Sequence, residues 1–541
     1  MPKLKQAYDI IVIGAGSAGC AVAYRIAAES NLEVLLLEAG SPAKSPLFHM
    51  PLGFAFLLKE HDNNWNYKTQ NEPNLANREI ELPRGKVLGG CSAINGMVYV
   101  RGQKEDFDDW ALMGNSGWSY EELLPYFKRS EDNENGASEH HGVGGPLWVG
   151  NVTNEFPLCE AFIEAAGEAG HPRNDDINAS SQLGAGFFPN NIKKGKRWSS
   201  ATAFLSAGKH LPNLTVETYA NTQRVIIENG QAVGVEFVKT NKKGAIQSSH
   251  TVKARREVVI SGGAINSPKI LEMSGIGQAD LLSKHGIDVV KDLPGVGENL
   301  HDHWNAYIKR TIDHGSTYFA ESKPLAMIKN LFRYVFTGGS FLGNPAALVA
   351  VFYQSVQASG RAESQIHFAP AASENDAKGN MIPIDGVTIA ACGLRPTSRG
   401  FCHITSSDVQ AKPEIQVNYL ETEYDKQVAV ESLKKAREIF EQTALAPFGG
   451  SELVPGSGIQ DDESLFEYIQ TTGEPVHHLA GSCKMGQDEH AVVDHQLKVH
   501  GIKGLRVADA SIMPVVVSGN THAACVMIGE KCADMILKAA K

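Results

Sequence analysis

The residues best suited to proton transfer lie near the end of the chain. His477 and His478 stand together in the segment 476–486, which is otherwise apolar or rich in small residues. The pKa of a histidine is close to neutral, so either side chain could accept a proton from a reacting hydroxyl group. Asn520 carries an amide that can hydrogen-bond to an oxygen on which negative charge develops. The segments predict a base and a donor that face one point.

Two further elements must position these side chains. Residues 504–509 form an apolar run that ends in Asp509, which predicts a buried strand. Residues 518–522 precede an apolar stretch, which predicts a helix that starts at Thr521. The N-terminus of a helix carries free N–H groups and the positive end of its dipole, so it favours an anionic or electron-rich group.

The N-terminal segment has the pattern of a dinucleotide-binding unit. Residues 8–13 form a continuous apolar run, typical of a buried parallel strand, and the Gly14-x-Gly16-x-x-Gly19 motif follows. These glycines allow a tight turn, close approach to a pyrophosphate, and close packing of helix against strand. A second apolar strand ends in Glu38, whose carboxylate can accept both ribose hydroxyls. We therefore predict a bound dinucleotide, and not NADP, because Glu38 would repel a 2′-phosphate.

Other segments rich in small residues extend this pattern. The density of small residues in 83–102 predicts a backbone pressed against a flat or charged group. A strand at 257–260 leads into Gly262-Gly263-Ala264, and we expect the next helix to start at Ser267-Pro268, with proline early in the helix. Because a dinucleotide site and a candidate base occur in one chain, we interpret the point faced by His478 as the reactive edge of a flavin.

Length, charge and cysteine content limit the class of protein that this sequence can encode. A chain of 541 residues predicts two domains or large subdomains, and a net charge of −11 argues against general nucleic-acid binding. The eight cysteines form no C-x-x-C pair, so we expect reduced thiols. Without a signal peptide or a spanning segment, we expect a cytoplasmic protein. Peripheral contact with the inner membrane stays open as an alternative, and so does the oligomeric state.

Two local features have a competing interpretation. His140 and His141 could indicate a metal site, but no third ligand is spaced to join them. We expect a solvated pair there and no metal in the protein. The apolar residues 50–58 favour a buried packing segment, with a lid or a docking surface as the alternative.

Motifs distributed over the whole chain carry a resemblance to a known family, the glucose–methanol–choline (GMC) flavoprotein oxidoreductases. Within it, the chain looks most like bacterial FAD-dependent alcohol dehydrogenases and choline dehydrogenases. The resemblance implies an α/β fold in which a Rossmann-like FAD-binding domain joins a mostly antiparallel-sheet substrate-binding domain. Strand-like runs alternate with polar turns between 305 and 470, so we expect the substrate domain there and the FAD-binding regions at 1–304 and 471–541. The motifs are the glycine motif with Glu38, the segment 83–95, Gly262-Gly263-Ala264 with Ser267-Pro268, the segments 293–303 and 396–400, His478-x-x-Gly481-x-x-x-Met485-Gly486, and the segment 509–514.

The resemblance also implies roles for individual residues. His478 falls on the family's catalytic histidine, and Asn520 falls where members carry His or Asn. Ile94 stands where some members attach FAD covalently through a histidine, so we expect noncovalent FAD. His522 would touch either the flavin or the substrate. The expected cofactor-binding residues are Gly14, Gly16, Ser17, Ala18, Gly19, Glu38, Ala39, Trp65, Arg84, Leu88, Gly89, Gly90, Ser92, Asn95, Gly96, Met97, Val98, Thr222, Gly262, Ala264, Asp509, Ala510, Asn520, Thr521 and His522.

The activity expected from this resemblance is oxidation of a primary, aliphatic alcohol to an aldehyde. Flavin N5 would take the hydride, His478 the proton, and Asn520 would hydrogen-bond the alcohol oxygen. His477 ranks second as the base, and we expect Cys483 to be a small packed residue. The electron acceptor would be a quinone or a carrier rather than NAD. The alternatives are a choline dehydrogenase, an oxidase that uses O₂, and a hydroxynitrile lyase in which FAD is structural.

Overall fold

Two seven-stranded sheets organise the protein. The computed structural model describes residues 4–59, 61–356, 360–375 and 381–540. The strands in chain order are β1 Ala7–Ile13, β2 Val34–Leu37, β3 Tyr67–Lys68, β4 Glu81–Leu82, β5 Glu131–Asn133, β6 Leu147–Val149, β7 Gly184–Phe187, β8 Ile192–Lys193, β9 Lys196–Arg197, β10 Leu214–Glu217, β11 Ala220–Glu228, β12 Gln231–Thr240, β13 Ile246–Ile260, β14 Ile276–Gly277, β15 Lys291–Asp292, β16 Trp304–Thr311, β17 Val349–Tyr353, β18 Ser364–Ala369, β19 Ala372–Asn375, β20 Met381–Ile384, β21 Gly386–Gly393, β22 Phe401–His403, β23 Glu414–Gln416, β24 Glu452–Val454, β25 Glu474–Pro475 and β26 Leu505–Val507.

The first sheet contains the predicted dinucleotide unit. Its order is β10-β2-β1-β13-β12-β11, and β26 pairs with the far end of β13. The strands β10, β2, β1, β13 and β26 run parallel, whereas β12 pairs antiparallel with both β13 and β11. Residues 10–13 of β1 and 34–37 of β2 are continuously apolar, as expected where both faces of a sheet are buried. This half of the fold agrees with the predicted Rossmann-like architecture.

The second sheet is antiparallel throughout, in the order β24-β16-β21-β18-β17-β7 with β25 beside β16. The predicted fold class, a Rossmann-like part with a mostly antiparallel part, is therefore confirmed. The domain bounds 1–304, 305–470 and 471–541 stay a proposal. Two strands of the second sheet, β7 and β25, come from outside 305–470.

Helices cover the outer faces of both sheets. Helix α1 packs on β1 and β2 of the first sheet and against α12, and α5 and α10 pack on the second sheet. The close contact of α1 and α12 depends on Gly529, where an added Cβ would lie 2.5 Å from the carbonyl oxygen of Ala18. The helices are α1 Ser17–Glu29, α2 Phe54–Leu57, α3 Lys104–Leu112, α4 Tyr120–Ser130, α5 Pro157–Glu168, α6 Gly263–Met273, α7 Ala279–Lys284, α8 Tyr318–Ser322, α9 Pro324–Thr337, α10 Glu423–Phe440, α11 Asp462–Thr472 and α12 His522–Ala540.

Three features of the sequence interpretation need correction or limits. Helices α8, α9, α10 and α11 lie within 305–470, for which a mostly antiparallel sheet was expected and no helix was predicted. Helix α6 starts at Gly263 and not at Ser267, because the carboxylate of Asp509 accepts the Gly263 N–H and so caps the earlier start. No helix within the described ranges is long and apolar enough to cross a membrane.

Candidate active site

The carboxyl ends of four parallel strands meet at one edge of the first sheet. The register pairs Ile13 of β1 with Leu37 of β2 and with Ile260 of β13, and Ile260 with Val507 of β26. Each strand therefore delivers its following residues to the same edge. These are the glycine motif, Glu38, the 262–264 turn and Asp509, which the sequence places far apart.

A cavity of ≈ 780 Å³ extends from this edge to the antiparallel sheet. It is lined by almost every residue that the sequence analysis proposed. Those lining it are Gly14, Gly16, Ser17, Ala18, Glu38, Ala39, Trp65, Arg84, Gly90, Ser92, Asn95, Gly96, Met97, Val98, Thr222, Gly262, Ala264, His478, Asp509, Ala510, Asn520, Thr521 and His522.

Three proposed cofactor ligands do not line the cavity. At Gly19 an added Cβ would lie 1.9 Å from the carbonyl oxygen of Gly14, so this glycine serves the packing of α1 on β1. Gly89 has φ +93 and donates its N–H to the Ala15 carbonyl at 2.8 Å. Leu88 donates its N–H to Ser41 at 2.9 Å. These three residues support the backbone behind the cavity wall and do not face the cavity.

The nucleotide end of the cavity fits a dinucleotide. An added Cβ at Gly16 would meet no atom within 4 Å, which leaves open space beside the turn. The Glu38 carboxylate accepts from the N–H groups of Ala15 (3.0 Å) and Gly40 (2.8 Å). Burial raises the pKa of Glu38 to about 7, so hydroxyl donors from a ribose would stabilise its ionised form. The Thr222 hydroxyl is also buried and lacks a partner among the described groups.

Alternating residues of the antiparallel sheet form the opposite wall. Tyr307 of β16, Ala390 of β21 and His367 of β18 are register partners, and all three line the cavity. Their strand neighbours Ile308 and Ile389 lie in the core behind the sheet. The side-chain period of two thus separates one face that can contact a substrate from one that packs against helices.

A chain of two histidines fixes the tautomer of the candidate base. His303 Nε2 lies 2.8 Å from the Leu394 carbonyl oxygen, which can only accept, so Nε2 carries the proton. Burial lowers the pKa of His303 to about 4, so the ring is neutral and its Nδ1 is an acceptor. His478 Nδ1 lies 2.9 Å from it and must donate. The lone pair of His478 therefore lies on Nε2.

Burial also keeps His478 in its basic form. Its pKa lies well below the ordinary value because desolvation disfavours the imidazolium ion, and His303 and His367 add repulsion. The Nε2 atom lies 3.2 Å from Asn520 Nδ2, and Asn520 Oδ1 accepts from Gln365 at 3.4 Å. The amide orientation and the histidine tautomer agree. His478 and Asn520 thus meet at the cavity, although their catalytic roles stay proposals.

Two charged residues hold the loop that carries the base. The Asp302 carboxylate accepts from the backbone N–H of His478 (2.5 Å), the N–H of His303 (2.8 Å) and the Tyr419 hydroxyl (2.8 Å). Arg84 donates to the backbone carbonyl of His477 at 2.8 Å. His477 itself has φ +65, a conformation that L-residues seldom adopt, and these contacts hold it there.

The structure distinguishes the neighbours of His478. His477 also lines the cavity, and burial lowers its pKa to about 3, but its Nδ1 has no partner among the described atoms, so no contact fixes its tautomer as His303 fixes that of His478. Cys483 is buried, and burial raises its pKa well above the ordinary value, which suits a packed thiol. His522 contacts Ser17 Oγ of the glycine motif at 2.9 Å, so it belongs to the dinucleotide side.

Sequence reasoning missed several residues of this site. The sequence analysis gave Asp302 and His303 no role of their own, yet both contact His478 directly. Their place in the 293–303 motif was the available signal. His367, Tyr307 and Glu474 also line the cavity, and no local pattern marks them, because only strand register brings them there.

The expected solvated histidine pair at 140–141 is wrong for His141. Its side chain is buried and lies 3.0 Å from a Glu131 oxygen and 2.9 Å from an Asp176 oxygen. Glu131 is also paired with Arg101, which makes a buried charge network. Across the described part of the chain, no group of three His, Cys, Asp or Glu side chains could hold a metal ion.

Comparison with known proteins decides the family. Two family models described as GMC oxidoreductase match residues 8–305 and 396–529. The chain belongs to the GMC oxidoreductase family. The predictions of an oxidoreductase that acts on CH–OH donors and of FAD as its cofactor are confirmed by this membership.

Several proteins are similar to this one over nearly the full chain. An oxygen-dependent choline dehydrogenase of Pectobacterium carotovorum is 42% identical over 98% of this chain and 94% of its own length. The mitochondrial choline dehydrogenase of Homo sapiens is 41% identical over 98% and 90%. The solved pyridoxine 4-oxidase of Mesorbium loti superposes with a TM-score of 0.87 at 29% identity, covering 98% of this chain and 99% of that one.

Proposed function

We propose that this GMC oxidoreductase oxidises a primary, aliphatic alcohol to its aldehyde, with His478 as the base. The observation that carries the proposal is the lone pair on His478 Nε2, which the His303 contact fixes and which lies beside Asn520 at the cavity. Nε2 would accept the hydroxyl proton, and the Asn520 amide would hydrogen-bond the same oxygen as charge develops on it. A general base of this kind contributes roughly 10²–10⁴-fold to the rate.

Residues of the chain define where noncovalent FAD would lie. The glycine motif, Glu38 and Thr222 would hold the dinucleotide, and the 90–98 turn and the N-terminus of α12 would hold the ring system. Bound FAD supplies the acceptor for the hydride of the alcohol carbon. The N–H groups that open α12 would favour negative charge on the reduced cofactor.

The opposite wall supports an aliphatic substrate. Six alanines lie along it, and their small apolar side chains leave room for a flexible alkyl group. The alanines lining the cavity here are Ala346, Ala347, Ala369, Ala371, Ala372 and Ala390.

Choline is the second candidate, and one pair of residues favours it. The Glu474 carboxylate and the Tyr307 ring both line the cavity, with a 3.3 Å contact between Tyr307 Oη and Glu474 Oε2. A carboxylate beside an aromatic face can bind a quaternary ammonium group. The names of the similar choline dehydrogenases support the same alternative.

We further propose a quinone or a carrier as electron acceptor, with O₂ as the alternative, and peripheral contact with a membrane. The small-molecule alcohol substrate follows from family membership.

Anaerobic mixing with unbranched primary alcohols of increasing length and with choline tests the substrate proposal. We expect each alkanol to reduce the flavin, with a rate that rises with chain length until the apolar wall is filled. Glu474→Gln should leave the alkanol rate unchanged. If choline is faster than every alkanol and Glu474→Gln abolishes that advantage, the second candidate is correct.

A further inference from the structure

Helix α9 turns its apolar side towards solvent and a polar side chain towards the core, the reverse of an ordinary surface helix. Among its residues, all of which the structure describes, only Asn330 is buried. The Asn330 amide donates to the backbone oxygen of Glu321 at 3.1 Å and to its carboxylate at 2.6 Å. The outward side is apolar, with Leu325 exposed by 86% and Phe336 by 77%. The exposed apolar side chains, named here the α9 face, are Leu325, Ile328, Leu331, Phe332, Val335 and Phe336.

This helix is firmly attached to the rest of the protein. Met327 and Tyr334 pack on the core of the antiparallel sheet. Pro324 begins the helix, and Gly338, with φ +73, ends it. Phe332 and Phe336 stack on the outside with their centroids 6.2 Å apart. The fold therefore holds six apolar side chains towards solvent, which is a costly arrangement unless something covers them.

The charged side chains that α9 itself carries are positive. Lys329 and Arg333 lie on the helix, both exposed, and Lys323 precedes it. From position 322 to position 345 the chain has no Asp or Glu, although its net charge is −11. A second copy that met this face with its own α9 face would bring only like charges, whereas an anionic surface would bring opposite ones. Basic residues beside an apolar helix face are the composition of helices that lie in a membrane interface.

The α9 face also neighbours the entrance to the cavity. The turn Phe341–Gly343, which follows α9, contacts both this helix and the turn Pro51–Gly53. Directly after that turn, Phe54, Ala55 and Leu58 line the cavity, and Phe56 points outward. The apolar segment 50–58 thus connects helix α9 to the wall of the cavity.

We propose that the α9 face docks on the headgroup region of a bilayer that contains anionic phospholipid. The six apolar side chains would enter the interface, and Lys329 and Arg333 would contact lipid phosphates. This proposal specifies the membrane contact proposed above and rests on it. It also places the 50–58 entrance beside a phase in which apolar alcohols and quinones dissolve.

Co-sedimentation of the FAD-loaded protein with vesicles tests the proposal without turnover. One set of vesicles contains phosphatidylcholine alone and the other adds phosphatidylglycerol. Leu325→Ser/Phe336→Ser removes two outward side chains. Leu112→Ser/Val143→Ser is the matched control, because Leu112 is 85% exposed on another surface. Lys329→Gln/Arg333→Gln tests the charges. Alcohol oxidation with a soluble dye is measured on every variant.

We expect the wild-type protein and the matched control to sediment with the anionic vesicles. The apolar variant should bind at least about 100-fold more weakly, and the charge variant roughly 10- to 30-fold more weakly. Dye-linked activity should be equal in all four proteins, so a failure of the proposed alcohol oxidation would be seen separately. The proposal would be overturned if the wild-type protein sediments with neither kind of vesicle, or if the apolar variant binds the anionic vesicles as tightly as the wild type does. If the protein ignores vesicles and the apolar variant dissociates a dimer, the face is a self-association surface.

Discussion

The contact between His303 and His478 predicts how the base is controlled. In His303→Leu the Nδ1–H of His478 loses its acceptor, and an unpartnered buried N–H costs about 1–3 kcal/mol. The ring escapes that cost by moving its proton to Nε2, where it can no longer accept the proton of the alcohol. The fraction of enzyme with a competent base should fall roughly 5- to 150-fold.

The assay is the rate constant of flavin reduction in anaerobic stopped flow at saturating alcohol. His303→Leu should lower this rate constant while the apparent Kd of the alcohol and the FAD content stay unchanged. His303→Gln is the conservative control, because its amide can donate to the Leu394 carbonyl and accept from His478. It should recover most of the rate. If His303→Leu reduces its flavin at the wild-type rate, the tautomer argument is wrong.

Three further predictions follow from single contacts. Gly16→Ala should leave the melting temperature of the apoprotein unchanged but lower FAD retention. Gly19→Ala should lower the melting temperature itself, because of these two glycines only Gly19 would place its Cβ 1.9 Å from a backbone oxygen, that of Gly14. Equal effects of the two substitutions would contradict this. Asp302→Asn, which replaces a carboxylate that accepts the His478 N–H, should slow flavin reduction roughly 10- to 100-fold with FAD retained; an unchanged rate would exclude the role. His522 has a pKa lowered by burial to about 4, so between pH 6.5 and 4 the unfolded chain binds more protons and stability falls as the pH falls. His522→Asn should remove about 3 kcal/mol of that loss, measured by denaturant unfolding at pH 7 and pH 4; an unchanged difference would refute it.

Much of the cofactor side could be predicted because its chemistry is local in sequence. The glycine motif, Glu38 and the 262–264 turn each follow a strand, and the carboxyl ends of parallel strands meet at one edge. Of the proposed cofactor-binding residues, only Gly19, Leu88 and Gly89 do not line the cavity. Their spacing marks them as part of a motif but does not show which side faces the ligand.

The substrate side could not be predicted in the same way. His367, Tyr307 and Ala390 lie on three strands, and their meeting depends on strand register. The hydrogen bonds of His303 depend on where the Leu394 carbonyl lies, which no motif encodes. Helix α10 was missed although its sequence is amphipathic, because neighbouring strand-like runs dominated the interpretation of that region.

The central claim is that the substrate reduces the flavin with His478 as the base. Its most direct test is anaerobic mixing of the FAD-loaded wild-type protein and of His478→Gln with a primary alcohol and choline, followed through the visible absorbance of oxidised flavin. We predict rapid bleaching in the wild type and bleaching slowed roughly 10²–10⁴-fold in His478→Gln. Equal rates in the two proteins would contradict the role of His478. A wild type whose flavin stays oxidised with every alcohol, or stays oxidised while it cleaves a cyanohydrin, would contradict alcohol oxidation itself.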